Sequence, residues 1–204
     1  LIKRWFWSIV CELYTSLVLF GYDLPPPKAL FNQPKGQSTV QFVETLRADF
    51  TFNSEERVQI LRAIKDIERF TNDLILFEIE FDLNPSDEET IYNQSVIIRA
   101  REDHPALVPW DNKSKGVRAL GLCFSKDNYT KNLYIVPNRI SNNILFRTTM
   151  IHEFGHFIGL GHEPKQSIMH AVNYNTVLYP TYIDAAAFAK LYNCSPEEFC
   201  YFKL

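Results

Sequence analysis

The chain has 204 residues, 46% hydrophobic and 22% charged, with a formal net charge of -3. That is enough to bury the core of one globular domain carrying a tail. Lys and Arg are scattered without long runs of either sign, which excludes the basic face of a nucleic-acid binder.

Residues 1–21, "LIKRWFWSIVCELYTSLVLFG", place Lys3 and Arg4 before an apolar run that reaches Phe20. This pattern resembles a signal peptide or a signal anchor, and points to a protein secreted or membrane-anchored with its main domain outside the cytoplasm. A lone span needs about 20 apolar residues, so the run is marginal as a crossing helix. The alternative is an amphipathic helix docked on the domain. Residues 22–38 hold the prolines of "YDLPPPKALFNQPKGQS" and read as an extended linker. The folded domain is expected over 39–204.

β-branched residues and alternation predict a strand over Thr39 to Arg47. Asn53 with Glu56 three residues on marks a capping box, and Ile60, Ile64 and Ile67, with Leu61 beside them, form the core stripe of the helix that follows. Strands are expected at Leu76–Asp82 and Ser95–Arg101, then a long loop from Arg101 to Val117. "VRALGLCF" and "NLYIVP" read as two more strands joined by the turn-rich "SKDNYTK". A helix is predicted from Asn143 to Gly159, and a last one over "TYIDAAAFAKLY", with Thr181 and Asp184 as its start signal. The order predicts an α+β fold, a mixed sheet of about five strands with helices packed on it.

Four of the five histidines fall in "TTMIHEFGHFIGLGHEPKQSIMH", Thr148 to His170. His152 and His156 are four apart, so one helix face presents both imidazoles to a single ion. Glu153 sits beside them, where a carboxylate takes a proton from an activated water. On an unbroken helix His162 would lie about 15 Å along the axis from His152, too far to share a metal. The chain must stop and double back, and Gly159 accepts the left-handed conformation that ends a helix. Gly161 adds freedom before His162. Three neutral imidazoles then hold Zn2+ and leave a fourth position for water.

H-E-x-x-H-x-x-G-x-x-H is the signature of the metzincin metallopeptidases, and His152, Glu153, His156, Gly159 and His162 match every fixed position. The chain resembles the matrixin branch, because Met169 in "SIM" follows His162 after a short loop and "DAAAFAKLY" is similar to the matrixin closing helix. The resemblance implies a zinc endopeptidase. His152, His156 and His162 would be ligands, Glu153 the general base, and Met169 a methionine turn beneath the metal that does not ligate. It implies a peptide or protein substrate running along an edge strand, with Gly121 and Leu122 of "VRALGLCF" as candidates. His170, Ala171, Asn173 and Tyr174 of "HAVNY" are candidates for the pocket wall, and Tyr174 for an oxyanion contact or a buried wall position.

The chain departs from the matrixin pattern in several places. Glu163 stands where matrixins usually have Ser, as in astacins, and His170 and Ala171 replace the usual Tyr-Pro after the methionine. "YPTY" at Tyr179 to Tyr182 comes too late for that wall and reads as the start of the closing helix. "EDHPALVPWDNKSKG" has no clear match to the loops that carry structural calcium and a second zinc, and His104 within it reads as a surface residue. No cysteine-switch motif is present. Cys194 and Cys200 bracket "CSPEEFC" and could close a local disulfide, while Cys123 reads as a buried thiol. Two other functions fit the same residues: an exported binding module with a structural zinc, and a hydrolase of cell-wall peptide cross-links. Glu153 argues against the first, since a structural site has no use for it.

Overall fold

The computed structural model describes residues 41–111, 118–125, 130–163, 166–171 and 177–203. The expected leader and linker lie outside the described residues. Among the described residues no helix is long and apolar enough to cross a membrane.

Strand β1 (Phe42–Asp49) leads to helix α1 (Ser54–Phe70). The strand runs two residues past the predicted Arg47, because the buried Asp49 carboxylate accepts hydrogen bonds from Thr51 and from the Arg99 backbone N–H. The helix starts as its sequence demands. Asn53 accepts the Glu56 N–H at 2.9 Å, and Glu56 accepts the Asn53 N–H at 2.9 Å. Two amides that no helical carbonyl can reach are thereby satisfied. Ile60, Ile64 and Ile67 are buried as the stripe predicts, but Leu61 is 43% exposed and Ala63 takes its place in the core. A 3.6-residue period turns position 61 toward water.

β2 (Ile75–Leu83) is followed by a short helix, α2 (Glu88–Asn93), and β3 (Val96–Arg99). Helix α2 has no counterpart in the sequence reading. It has no buried residue to write an apolar stripe, and it is started by Asp87, which accepts the Thr90 N–H. β4 (Gly121–Ser125) and β5 (Lys131–Ile135) form an antiparallel pair. α3 (Asn143–Phe157) and α4 (Tyr182–Tyr192) complete the elements that frame the site.

The sheet order is β2-β1-β3-β5-β4, with every pairing parallel except β4 with β5. This is the mixed five-stranded sheet that the element order predicts, and among the described residues β4 lies on its edge. One face of the sheet carries the main core. Leu46, Phe77, Ile97 and Leu133 meet Ile64 of α1, Phe154 of α3 and Phe188 of α4 in one apolar cluster. A bidentate pair from Arg147 to Asp66, at 2.7 and 2.9 Å, ties α3 to α1 and fixes the helix that bears the histidines.

Cys123, Cys194 and Cys200 are all free thiols, so the local disulfide is not formed. The two outer cysteines are held by different neighbours. The Cys194 N–H closes the end of α4 on Ala189 O, while the Cys200 N–H donates to Phe70 O at 3.0 Å. Cys123 is partly rather than fully buried.

Candidate metal centre

Helix α3 ends on Phe157, and Gly159 takes a φ of +99°, a conformation that glycine adopts without the strain a side chain would bring. The reversal is sealed by hydrogen bonds from Gly159 N–H to His156 O and from Leu160 N–H to Gly155 O. It brings His162 back over the helix. The Nε2 atoms of His156 and His152 are 3.1 Å apart, and those of His156 and His162 are 3.2 Å apart. All three ring donors lie within 4.8 Å of one another.

Each helical histidine is aimed by its other nitrogen. His152 Nδ1 meets Ile168 O and His156 Nδ1 meets Leu160 O, both at 2.8 Å. A carbonyl can only accept, so each Nδ1 carries the proton and each Nε2 presents its lone pair to the shared space. Burial pushes all three imidazoles toward the neutral form, His152 down to about 4. Zinc–nitrogen bonds of about 2.0–2.1 Å in a tetrahedral shell separate neighbouring nitrogens by about 3.3 Å. The donor set therefore fits such an ion.

Met169 is fully buried, and it sits against Gly155, between the two helical histidines in sequence. A Cβ at Gly155 would fall on Met169 Sδ, so only glycine allows the methionine this close. The backbone around Met169 is held by Asp184, the capping-box partner of Thr181 in the first turn of α4. Its carboxylate accepts N–H bonds from Thr181 at 2.7 Å, Ile168 at 3.2 Å and Met169 at 3.3 Å, together with the Ser167 hydroxyl. Because Ile168 O in turn orients His152, a continuous set of contacts runs from the closing helix to the metal site. Glu163 N–H donates to Met169 O at 3.0 Å and joins the His162 segment to the same turn. Asp184 reads in the sequence only as a helix start; its second role depends on a contact across 15 residues. Thr181 caps α4, so "YPTY" is indeed where that helix starts.

Glu153 is 5% exposed, and its Oε2 has no hydrogen-bond partner. Burial pushes its carboxyl up to about 8, against a hydrogen bond from the Cys123 backbone. The edge strand β4 lies against it. A Cβ at Gly121 would come within 2.8 Å of Glu153 Cγ and Oε1, so the strand passes as close as a glycine permits. Leu122, one residue on, points to the other face and packs with Ala100, Leu107 and Val136. Cys123, which the sequence reading does not place at the site, is the next side chain on the Glu153 face, and its thiol is pushed up to about 12 by burial and the nearby carboxylate.

His170 is half-buried and close enough for its charge to bear on His152 and His162. Ala171 is exposed. Asn173 and Tyr174 lie outside the described residues. His104 is not part of the cluster; its ring packs on Tyr134 with centroids 4.8 Å apart.

No curated protein sequence matches the chain. A family model does: the model described as Matrixin matches residues 29–193. With a mixed α/β frame and three histidines grouped so that they could hold a metal, the chain belongs to the matrixins, a family of zinc metallopeptidases.

Proposed function

We propose that this matrixin is a zinc endopeptidase in which His152, His156 and His162 bind the ion and Glu153 is the general base. The observation that carries the reading is the convergence of three imidazoles on one space, with the Nδ1 atoms of His152 and His156 each held by a backbone carbonyl. Bound zinc supplies Lewis acidity, polarising the scissile carbonyl and lowering the pKa of a water toward about 7.

The chain's own residues do the rest. The neutral imidazoles donate lone pairs without adding charge of their own, which keeps the site electrophilic. Glu153, dry and with one oxygen unpartnered, accepts the proton of the attacking water on its carboxylate and passes it to the leaving amine. An extended peptide adds to the edge of β4, where Gly121 lies against the Glu153 side chain. His170 and Ala171, which follow Met169, are the candidate pocket residues.

The test uses the full chain. Bound metal is measured, and cleavage of a mixed peptide library is profiled with and without a chelator. The reading expects one zinc per chain and internal cleavages that the chelator abolishes. A chain that binds zinc yet cleaves no peptide would favour a structural site.

A further inference from the structure

The 3-10 turn Pro137–Arg139, between β5 and α3, carries a guanidinium that is nearly sealed from solvent. The Arg139 side chain is 4% exposed and that of its partner Asp111 is 8% exposed. Arg139 Nη1 donates to Asp111 Oδ1 at 2.9 Å and to Ala119 O at 2.7 Å. Its Nη2 donates to Asp111 Oδ2 at 3.0 Å and to Glu102 O. Asp111 Oδ1 also accepts the Ala119 N–H at 2.9 Å. Both backbone groups of Ala119 are therefore held by one ion pair. The next carbonyl, Leu120 O, accepts the Val136 N–H at 2.9 Å.

β4 begins at Gly121, immediately beyond this fixed point, and Gly121 is the residue pressed against Glu153. A buried ion pair is weak evidence of added stability, since an apolar pair of the same volume often serves as well. What a two-pronged guanidinium supplies is direction, because its N–H groups satisfy only acceptors placed in its plane. The acceptors here are the loop carbonyl of Glu102, the Asp111 carboxylate and the residue that leads into β4.

We infer that Arg139 and Asp111 are positioning residues for the peptidase site, a clamp that sets the register and height of the β4 edge over Glu153. The inference rests on the reading of Glu153 and β4 given above. It explains why Arg118 and Ala119 of the predicted strand stand outside β4: both backbone groups of Ala119 are committed to the clamp. Neither residue touches the histidines, so the clamp acts on the substrate edge and leaves metal binding alone.

The test is amide hydrogen exchange on the zinc-loaded full chain, paired with peptide kinetics, for Arg139→Met, Arg139→Lys and Asp111→Asn. Amides of β4 should exchange about tenfold faster in each variant, while those of Leu46 and Ala48 in β1 stay unchanged. KM for an extended peptide should rise about tenfold while bound zinc remains at the wild-type level. Arg139→Lys should resemble Arg139→Met, because a point charge cannot serve four acceptors in a plane. Unchanged β4 exchange, faster exchange spread evenly over the whole sheet, or an unchanged KM would overturn the clamp. If Arg139→Met does not fold, Asp111→Asn keeps the volume and carries the same comparison. A wild-type chain that cleaves nothing would sink the endopeptidase reading, and the exchange data would still decide the clamp.

Discussion

The backbone N–H of Met169 and the carboxylate of Asp184 are joined by a hydrogen bond of 3.3 Å across 15 residues. Asp184 is fully buried and also accepts from Ile168, Thr181 and Ser167, so one side chain fixes the turn under the histidines and the start of α4 together. Removing it leaves several donors without partners in a dry setting. Asp184→Ala should cost about 2–4 kcal/mol in denaturant unfolding. The same variant should bind zinc more weakly, because Ile168 O would no longer hold His152. Wild-type zinc affinity in a folded Asp184→Ala chain would sever the proposed link.

Gly155→Ala tests the packing beneath the site. The added methyl would land on Met169 Sδ, so the fully buried methionine would have to shift. The expected loss is about 1–3 kcal/mol of stability. Gly155→Ala combined with Met169→Ala should recover part of that loss, because the second change removes the clash. A double variant no better than the sum of the singles would contradict it.

Gly159→Ala addresses the chain reversal. A φ of +99° strains any side chain, at about 1–3 kcal/mol. The reversal delivers His162, so competition with a chelator should show weakened zinc binding before the melting temperature falls far. Unaltered binding would mean that His162 is placed by other contacts.

The metal-free chain has a defined response to pH. Burial holds His152 down at about 4, below its usual 6.5, so the unfolded chain binds the proton first. Its contribution to stability is present above 6.5 and is lost as pH falls through about 4. Glu153 behaves in the opposite sense. Its carboxyl is raised from 4.5 to about 8, so its contribution is full below 4.5 and is lost as pH rises through about 8. Glu153→Gln mimics the protonated acid. The metal-free variant should match wild type below 4.5 and become progressively more stable than wild type up to about 8. A constant difference across that window would show that Glu153 does not titrate as its burial requires.

Much of the frame is legible in the sequence, because its signals are local. The Asn53 and Glu56 capping pair, the isoleucine stripe and the His152–His156 spacing each depend on neighbours within a turn or two of helix. Even the reversal after α3 is written locally, since His162 cannot share an ion with His152 unless Gly159 ends the helix. The unread features are made by tertiary approach. Gly121 matters because Glu153 lies over it, and Gly155 because Met169 lies beneath it. Asp184 carries a helix-start signal that hides its contact with the methionine turn. Arg139 and Asp111 are 28 residues apart, with nothing in the intervening sequence to announce their meeting. Leu61 and the local disulfide fail for a related reason: apolar type and short spacing say which contacts are available, while the fold chooses among them.

Whether Glu153 is the general base is decided by a paired measurement on Glu153→Ala: bound zinc, and the rate of peptide cleavage. Zinc should stay at the wild-type level while cleavage falls about 10²–10⁴-fold, the usual contribution of a positioned acid–base group. Cleavage at the wild-type rate with zinc in place would contradict that role.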